Sequence, residues 1–455
     1  MKLSSPWTPH LAKAATGPSE KLQMALSEDI ASGVLRSGDR LPPHREVSYV
    51  LKIGVGTVTK AYAALERRGL IRSIRGRGTF VSGPVEVRQD RIDLSVNAPP
   101  QGISDRLLSA ALQDVAKRID ANTFAGYSSA AGSLPHRTLM ARWLCEQRLK
   151  ISADNILLCS GAQHALAVAF ATLWRPNGIL LTEAVTYSGG IALARHLGYK
   201  LMGVETDHEG LEPTALERAL ASMSMNSGEH VLYVTPTLQN PTGSTMGLGR
   251  RNEIVEICTR HNVTIVEDDV YSIFGGTEHI PLAALAPERT VYVSGLPKSV
   301  SPGLRIGALV VPTHLLERAH SKLQATCSMI SPLSSMLMER WLSDGTASAV
   351  VRSIRQNTNI RHALFNKVFP GHKSLSNTVG YHVWIPMPLS DAIELYANAA
   401  ENGVVLMQPL VSMVDPSQQT SGVRLSLGRV PLDNLKLGLS TVSELMDETR
   451  NLRRM

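Results

Sequence analysis

A lysine in a loop rich in glycine, proline and serine is the residue best placed for covalent chemistry. Lys298 lies in the run Ser294–Gly307, directly after the apolar stretch Thr290–Val293. Such a stretch is typical of a buried strand, and ligands of α/β proteins bind where these strands end. A lysine amine kept from water loses its proton near neutral pH and can form a Schiff base with an aldehyde. Taken alone, Lys298 fits an ordinary exposed loop lysine equally well. Other residues along the chain decide between this interpretation and a Schiff-base lysine.

These other residues are of the types that bind one aldehyde cofactor, pyridoxal phosphate (PLP). Besides a lysine, PLP needs a carboxylate at its ring nitrogen, a donor to its ring oxygen O3′ and an anion cradle for its phosphate. Asp268 can hold the ring-nitrogen proton, and Asn240 and Tyr271 can donate to O3′. The turn Ser160–Gln163, between an apolar strand and a helix, can cradle the phosphate, and Arg305 adds a cation.

This ordered set resembles the fold-type I PLP enzymes, the aspartate aminotransferase superfamily, from about Asp93 to the C-terminus. The resemblance implies that Lys298 forms the Schiff base and that Lys298, Asp268 and Tyr271 are catalytic. It also implies that Tyr187 stacks on the ring, that Tyr127 reaches the phosphate of the neighbouring subunit, and that Arg424 pairs with a substrate or effector carboxylate. The predicted cofactor-binding residues are Gly161, Ala162, Gln163, Tyr187, Asn240, Asp268, Tyr271, Lys298, Arg305 and Tyr127.

One position departs from that family. Three residues before the lysine, where Ser or Thr usually binds the phosphate, this chain has Gly295. The loss of one hydrogen bond to a charged group weakens phosphate binding by about 1–3 kcal/mol. Ser294 and Ser301 are candidate substitutes, and we expect the cofactor to bind.

The net positive charge of the chain comes from its N-terminal part. Residues 1–83 contain 13 Lys and Arg against 6 Asp and Glu, a surplus of +7, which equals the surplus of the whole 455-residue chain at 46 against 39. The remainder is therefore neutral. A small basic segment attached to a neutral body indicates a polyanion-binding module on a domain with another role.

The composition is that of a cytoplasmic globular protein. Hydrophobic residues make up 43% and charged residues 19%, and no apolar run approaches the ~18 residues of a membrane span. The N-terminus lacks the pattern of a secretion signal. The four cysteines show no CxxC pairing, which favours reduced residues over disulfides or metal ligands.

The basic segment has the pattern of a winged helix-turn-helix. Apolar spacing predicts helices around Leu22–Ile30, from His44 to Leu51 and from about Thr57 to Arg68, and a hairpin at Leu70–Val81. Phrases such as Gly38-Asp39-Arg40-Leu41-Pro42 and Gly76-Arg77-Gly78-Thr79-Phe80-Val81 closely resemble the GntR family of bacterial DNA-binding domains. That resemblance implies duplex DNA as a partner, with base or phosphate contacts from helix three and minor-groove contacts from the wing. The predicted DNA-binding residues are Arg45, Thr57, Thr59, Lys60, Arg75, Gly76 and Arg77.

The predicted domains are a winged helix at 1–83, a linker at 84–92 and an aminotransferase-like domain at 93–455. Seven apolar strands alternating with helices predict an α/β fold, a mostly parallel, doubly wound sheet, in a large part covering about 93–315. Later helices and two further strands predict a smaller C-terminal α+β lobe at about 316–455.

Together the two halves resemble the MocR-type subfamily of GntR regulators. This resemblance implies a transcription factor that senses PLP, or an amine or amino acid reacting at the Lys298 Schiff base, and a domain-swapped, head-to-tail homodimer on two DNA half-sites. Two alternatives stay open: a working aminotransferase with a DNA-binding appendage, and a structural domain with vestigial cofactor residues.

Overall fold

The computed structural model describes all residues except 1–4, 6, 13–16, 33, 36–38, 68–69, 75–77, 82–90, 224–229, 276–278, 373–377, 418–420 and 453–455. By packing, the chain separates into two compact units, Met1–Asp90 and Arg91–Met455. Arg91 and Ile92, which the sequence placed in the linker, therefore belong to the second unit. The proposed linker residues 84–90 lie outside the described part.

The first unit is a three-helix domain with a two-stranded hairpin. Its elements are α1 Pro18–Ala31, α2 His44–Leu51, α3 Val55–Arg67, β1 Ile71–Ile74 and β2 Gly78–Val81. Helix α3 begins two residues earlier than expected. Val58, Tyr62 and Leu65, spaced by four and three residues, place their side chains on one buried face of α3. The strands pair antiparallel with Ile71 opposite Val81, as a wing requires.

The second unit contains the remaining helices and strands. Its strands are β3 Ile92–Asp93, β4 Ile156–Cys159, β5 Ile179–Glu183, β6 Lys200–Val204, β7 Thr206–Asp207, β8 Gly210–Leu211, β9 Val231–Val234, β10 Thr264–Asp268, β11 Thr290–Gly295, β12 Gly307–Val310, β13 His382–Pro386, β14 Val404–Val405 and β15 Gly422–Ser426. Its α-helices are α4 Asp105–Arg118, α5 Ala121–Ala125, α6 Leu134–Glu146, α7 Ala162–Leu173, α8 Ser188–His196, α9 Pro213–Ala221, α10 Leu248–Arg260, α11 Leu282–Leu285, α12 Leu316–Thr326, α13 Pro332–Ser343, α14 Thr346–Val368, α15 Leu389–Glu401 and α16 Leu432–Leu452. Short 3-10 turns occur at Ala153–Asn155, Ser272–Phe274, Pro302–Leu304, Thr313–Leu315 and Pro409–Ser412.

A seven-stranded sheet forms the centre of this unit, in the order β4-β12-β11-β10-β9-β5-β6. Strand β12 is antiparallel to both neighbours, and the remaining pairs are parallel. The strands are continuous apolar runs because helices cover both faces of the sheet. The predicted mostly parallel α/β fold is confirmed, and the carboxyl ends of β9, β10 and β11 lie side by side.

The structure corrects the predicted boundary of the C-terminal lobe. Helices α12 and α13 pack on the central sheet through Leu323 and Trp341, so the lobe does not begin at 316. Its core instead combines Phe365 near the end of α14 with the later elements and with Leu94. Strand β3 also pairs with β14. Helical spacing locates a helix along the chain but does not say which apolar layer it covers.

None of the helices in the described part combines the length and the apolar composition of a membrane span.

Candidate functional site

Lys298 faces a cavity of about 600 Å³ at the carboxyl ends of the central strands. It follows β11 in a tight turn in which the Leu296 backbone N–H donates to the Ile306 carbonyl at 3.0 Å. The amine donates to the backbone carbonyl of Asn97. Burial, and next the positive charge of Arg424, lower the pKa of Lys298 to about 8. A useful fraction of this amine is therefore neutral and nucleophilic near physiological pH.

Asp268 is the carboxylate of the cavity, at the end of β10. Its Oδ2 accepts a hydrogen bond from the Tyr233 hydroxyl at 3.0 Å, and its Oδ1 is buried without a partner. Burial, with the negative charge of Asp269, raises the pKa of Asp268 to about 6, against the hydrogen bond from Tyr233. A buried acceptor without a donor costs free energy, so this oxygen is suited to a cationic N–H of a ligand.

Asn240 and Tyr271 line the same cavity. The Tyr271 hydroxyl oxygen accepts from the Asn97 amide at 2.8 Å, so Asn97 does not take up the phenol proton, and the Tyr381 hydroxyl is a second hydrogen-bonding neighbour of Tyr271. The Asn240 Oδ1 accepts from the Arg424 guanidinium at 2.8 Å, which leaves the Asn240 amide hydrogens available. The Asn240 amide is therefore free to donate, and the Tyr271 phenol has one proton to offer, to Tyr381 or to a ligand.

The turn before α7 forms a narrow anion cradle. Gly161 has a φ of +91°, and a Cβ at this position would lie 2.9 Å from the Arg305 guanidinium. The guanidinium donates to the Ser160 carbonyl at 3.5 Å. The positive φ strongly favours glycine, and the missing Cβ leaves room for the guanidinium in this position. The first turn of α7, at Ala162 and Gln163, and the exposed Arg305 thus meet at one end of the cavity.

Tyr187 forms one wall of the cavity, and its neighbours fix its ring. The Tyr187 hydroxyl donates to the Gln163 Oε1 at 2.8 Å, and the Gln163 amide donates to the Gly189 carbonyl at 3.3 Å. A Cβ on Gly189 would lie 2.5 Å from the phenol ring. The ring is therefore held in one orientation beside the cavity.

Arg424 lies in β15 and is only 5% exposed. Its guanidinium donates to Asn240 and to the backbone carbonyl of Ser95, and its Nε is buried without a partner. Burial lowers the pKa of Arg424, yet arginine keeps its charge in proteins. It supplies a buried cation to the cavity.

Tyr127 is 85% exposed and is not among the residues that line this cavity; it lies in a separate depression with Ser128 and His320. Its reach to a neighbouring subunit stays a prediction.

Gly295 packs tightly against the backbone, since a Cβ there would lie 3.1 Å from the Ile306 carbonyl oxygen. Neither Ser294 nor Ser301 lines the cavity. Ser301 instead accepts from the Gly303 N–H at 3.3 Å, which makes it a turn cap.

Sequence reasoning missed the residues that support the predicted ones. Asn97 contacts both Lys298 and Tyr271, and Tyr233 contacts Asp268. Tyr233 stands inside an apolar strand, where a tyrosine looks like core. Asn97 is separated by more than a hundred residues from its partners, so no local pattern could have identified it.

These residues fit PLP on structural grounds. The partnerless Asp268 Oδ1, the glycine cradle beside Arg305, and the partly deprotonated Lys298 lie around one cavity. They supply a partner for the ring nitrogen, for the phosphate and for the aldehyde.

Four of the seven predicted DNA-contacting residues lie on α2 and α3. Arg45, Thr59 and Lys60 are exposed, and Thr57 is half-buried. The Thr59 hydroxyl donates to the Val55 carbonyl at 3.0 Å and bonds His44 Nδ1 at 3.1 Å. The Thr59 hydroxyl is therefore already hydrogen-bonded within the domain, so only the Thr59 methyl group is free to contact the edge of a base. The wing residues Arg75, Gly76 and Arg77 lie outside the described residues.

Two family models match the chain. "Aminotransferase class I and II" matches residues 89–437, and "Bacterial regulatory proteins, gntR family" matches residues 18–81.

Several curated relatives match long stretches of the chain. YdeF, an uncharacterised HTH-type transcriptional regulator of Bacillus subtilis, is 28% identical over 97% of this chain and 97% of its own length. The vitamin B6 salvage pathway transcriptional repressor PtsJ of Salmonella typhimurium is 24% identical over 89% and 92%. The pyridoxine biosynthesis transcriptional regulator PdxR of Corynebacterium glutamicum is 29% identical over 62% and 64%.

Among solved structures, an α-aminoadipate aminotransferase of Thermus thermophilus, complexed with N-(5'-phosphopyridoxyl)-L-leucine, has a TM-score of 0.70 and 22% identity over 81% of this chain and 95% of its own. This likeness shows the fold.

Proposed function

The chain belongs to the aminotransferase class I and II family, and from this membership and its gntR-family domain we propose that it is a PLP-binding transcriptional regulator. It binds duplex DNA through residues 18–81 and senses PLP, or an amino compound, at Lys298. The observation that carries the proposal is the partnerless Asp268 Oδ1 in the same cavity as Lys298, on a chain that also has a DNA-binding domain. The relatives PdxR and PtsJ, whose names link them to vitamin B6, support it.

Each cavity residue has a defined role toward the cofactor. When bound, PLP supplies an aldehyde that condenses with an amine and a ring that withdraws electrons from it. Asp268 holds the proton at the ring nitrogen, because a buried carboxylate favours a charged partner. Tyr271 and Asn240 donate to O3′, and the α7 turn with Arg305 holds the phosphate. The Lys298 amine is neutral often enough to react because its pKa is about 8.

The ligand sensed beside the cofactor carries a carboxylate. Arg424 is buried, faces the cavity and has an unpartnered Nε. A guanidinium binds a carboxylate through two parallel hydrogen bonds. Regulation requires that this ligand bind two conformations unequally, and typical coupling between two sites is about 1–3 kcal/mol.

On DNA, α3 enters the major groove, and Arg45, Thr57 and Lys60 contact bases or phosphates, with the wing Arg75–Arg77 along the minor groove. The working form is a head-to-tail homodimer, in which Tyr127 reaches the partner's phosphate site; its 85% exposure supports this role. Because such a regulator acts on the chromosome, we place it in the cytoplasm.

The test is DNA binding with and without PLP. The affinity for fragments of the upstream region of its own gene is measured for the wild type, for Lys298→Ala and for the exposed control Lys367→Ala. We expect PLP to change the wild-type and control affinities about 5- to 150-fold, which corresponds to 1–3 kcal/mol, and to leave Lys298→Ala unchanged. Equal affinities in all conditions would overturn the proposal. Multiple turnovers of an amino acid with a keto acid, without any DNA response, would favour an aminotransferase instead.

A further inference from the structure

A chain of side chains behind the cavity ends at the Tyr271 hydroxyl. It begins at the backbone carbonyl of Gln239 and passes through His382 and Asn97, which are 2% and 8% exposed. The three links measure 3.1 Å from the Gln239 carbonyl to His382 Nε2, 3.3 Å from His382 Nδ1 to Asn97 Nδ2, and 2.8 Å from Asn97 Nδ2 to the Tyr271 oxygen. Of these side chains, Tyr271 and Asn97 line the cavity.

The direction of each hydrogen bond follows from the first. A carbonyl can only accept, so His382 Nε2 carries the hydrogen, and in a neutral imidazole Nδ1 is then an acceptor. Burial, and next the charge of Arg424, lower the pKa of His382 to about 3, which keeps the ring neutral. An acceptor at Nδ1 requires a donor opposite it, so the NH₂ group of Asn97 faces His382. The orientation of the Asn97 amide is thereby fixed.

The same NH₂ group lies against the Tyr271 oxygen, which must therefore accept. The phenol cannot return its proton to an amide nitrogen, because that nitrogen has no lone pair to offer. The Tyr381 hydroxyl is a second hydrogen-bonding neighbour of Tyr271. We propose that Gln239, His382 and Asn97 form a directional hydrogen-bond chain that prevents residue 97 from taking the Tyr271 proton and so favours its donation to the O3′ oxygen of the cofactor. His382 and Asn97 are thus positioning residues for Tyr271. The inference rests on the proposed cofactor site.

The substitution Asn97→Asp reverses the last link. A carboxylate accepts and does not donate, so the Tyr271 proton turns toward residue 97 and O3′ loses a donor. A donor at O3′ stabilises the negative oxygen and eases proton loss from the lysine nitrogen bound to the cofactor. We therefore expect the pH midpoint of the cofactor's colour change to rise by about one unit. Asn402→Asp, the same change at the exposed residue that follows α15, leaves the midpoint unchanged.

A double-mutant cycle separates this role from a general structural effect. The midpoint of the PLP-loaded full chain is measured by absorption for Asn97→Asp, Tyr271→Phe and the double variant. If Asn97 acts through Tyr271, the double variant shifts no further than Tyr271→Phe alone. Additive shifts, or an unshifted Asn97→Asp, would overturn the inference. If Asn97→Asp does not fold, His382→Phe is tested instead. This substitution frees the Asn97 amide to rotate, so we expect it to raise the midpoint in the same way. An unshifted midpoint in His382→Phe would count equally against the hydrogen-bond chain.

The outcomes distinguish the inference from the proposed function. A wild-type protein that takes up PLP and changes its DNA affinity, beside an unshifted Asn97→Asp, rejects the hydrogen-bond chain alone. A wild-type protein that shows no cofactor absorption with added PLP rejects the proposed function itself.

Discussion

The substitution Asp268→Asn should make the cofactor-free protein more stable while weakening cofactor binding. The reason is the burial of Asp268 with one oxygen unpartnered, which raises its pKa from 3.8 to about 6. A rise of about two units corresponds to about 3 kcal/mol. Because the folded protein binds this proton more tightly than the unfolded chain, stability falls as pH rises from about 4 through 6, and the loss persists above.

Asparagine removes the charge and keeps an oxygen for the Tyr233 hydroxyl. The stability gain of Asp268→Asn should therefore be small at pH 4.5 and grow toward about 3 kcal/mol at pH 8, less whatever burying the new amide costs. Cofactor binding should weaken about 10- to 150-fold, because a hydrogen bond to a charged group is worth about 1.5–3 kcal/mol. The assay is urea unfolding of the cofactor-free chain at both pH values, with a PLP titration by absorption at pH 8.

Asp207→Asn is the matched control with the opposite sign. Burial raises the pKa of Asp207, but hydrogen bonding from Arg250 outweighs burial, and the pKa is lowered overall. Removing that charge should destabilise the protein at pH 8 and leave PLP affinity unchanged. A stability difference between Asp268→Asn and the wild type that does not depend on pH, or that falls as pH rises, would contradict a raised pKa of Asp268.

Three further predictions address the ligand and the DNA. Replacing Arg424 with Gln should weaken amino acid binding at least 30-fold, about 2 kcal/mol, while the absorption of bound PLP persists; unchanged amino acid titrations would contradict the role of this cation. The exposed Val55, at the start of α3, should contact a thymine methyl. Exchange of that thymine for uracil should lower the DNA affinity of the wild type about fourfold, since one buried methyl is worth ~0.8 kcal/mol. The same exchange should not change the affinity of Val55→Ala, and equal losses in both proteins would refute the contact. Finally, log affinity for duplex should fall linearly with log salt, and Lys60→Ala should reduce that slope by about one; a slope that does not change would remove Lys60 from the phosphate contacts.

Much of the candidate site was predictable because its chemistry follows local rules. Asp268 is the last residue of β10 and Lys298 lies three residues beyond the end of β11, and parallel strands place such positions along one edge of a sheet. Gly161 stands between a strand and a helix, where the backbone must bend. The order of these residue types therefore predicted a shared site and its cofactor.

The limits of the C-terminal lobe were not predictable in the same way. The spacing of apolar residues in α12 and α13 shows that each helix has a buried face, but not which sheet that face covers. Leu94 and Phe365 share one core although they are far apart in sequence. Packing partners are chosen by the shape of the whole unit.

The sequence by itself determined which side chains could react with an aldehyde, hold a phosphate and contact DNA, since these are properties of residue type and local spacing. Only the tertiary structure decided how those side chains are oriented. Asn97 makes two of these contacts. Its backbone carbonyl accepts a hydrogen bond from the Lys298 amine, and its side-chain amide donates one to the Tyr271 hydroxyl oxygen. A hydrogen bond depends on which atoms lie within about 3 Å of each other, and folding brings together atoms that are remote along the chain.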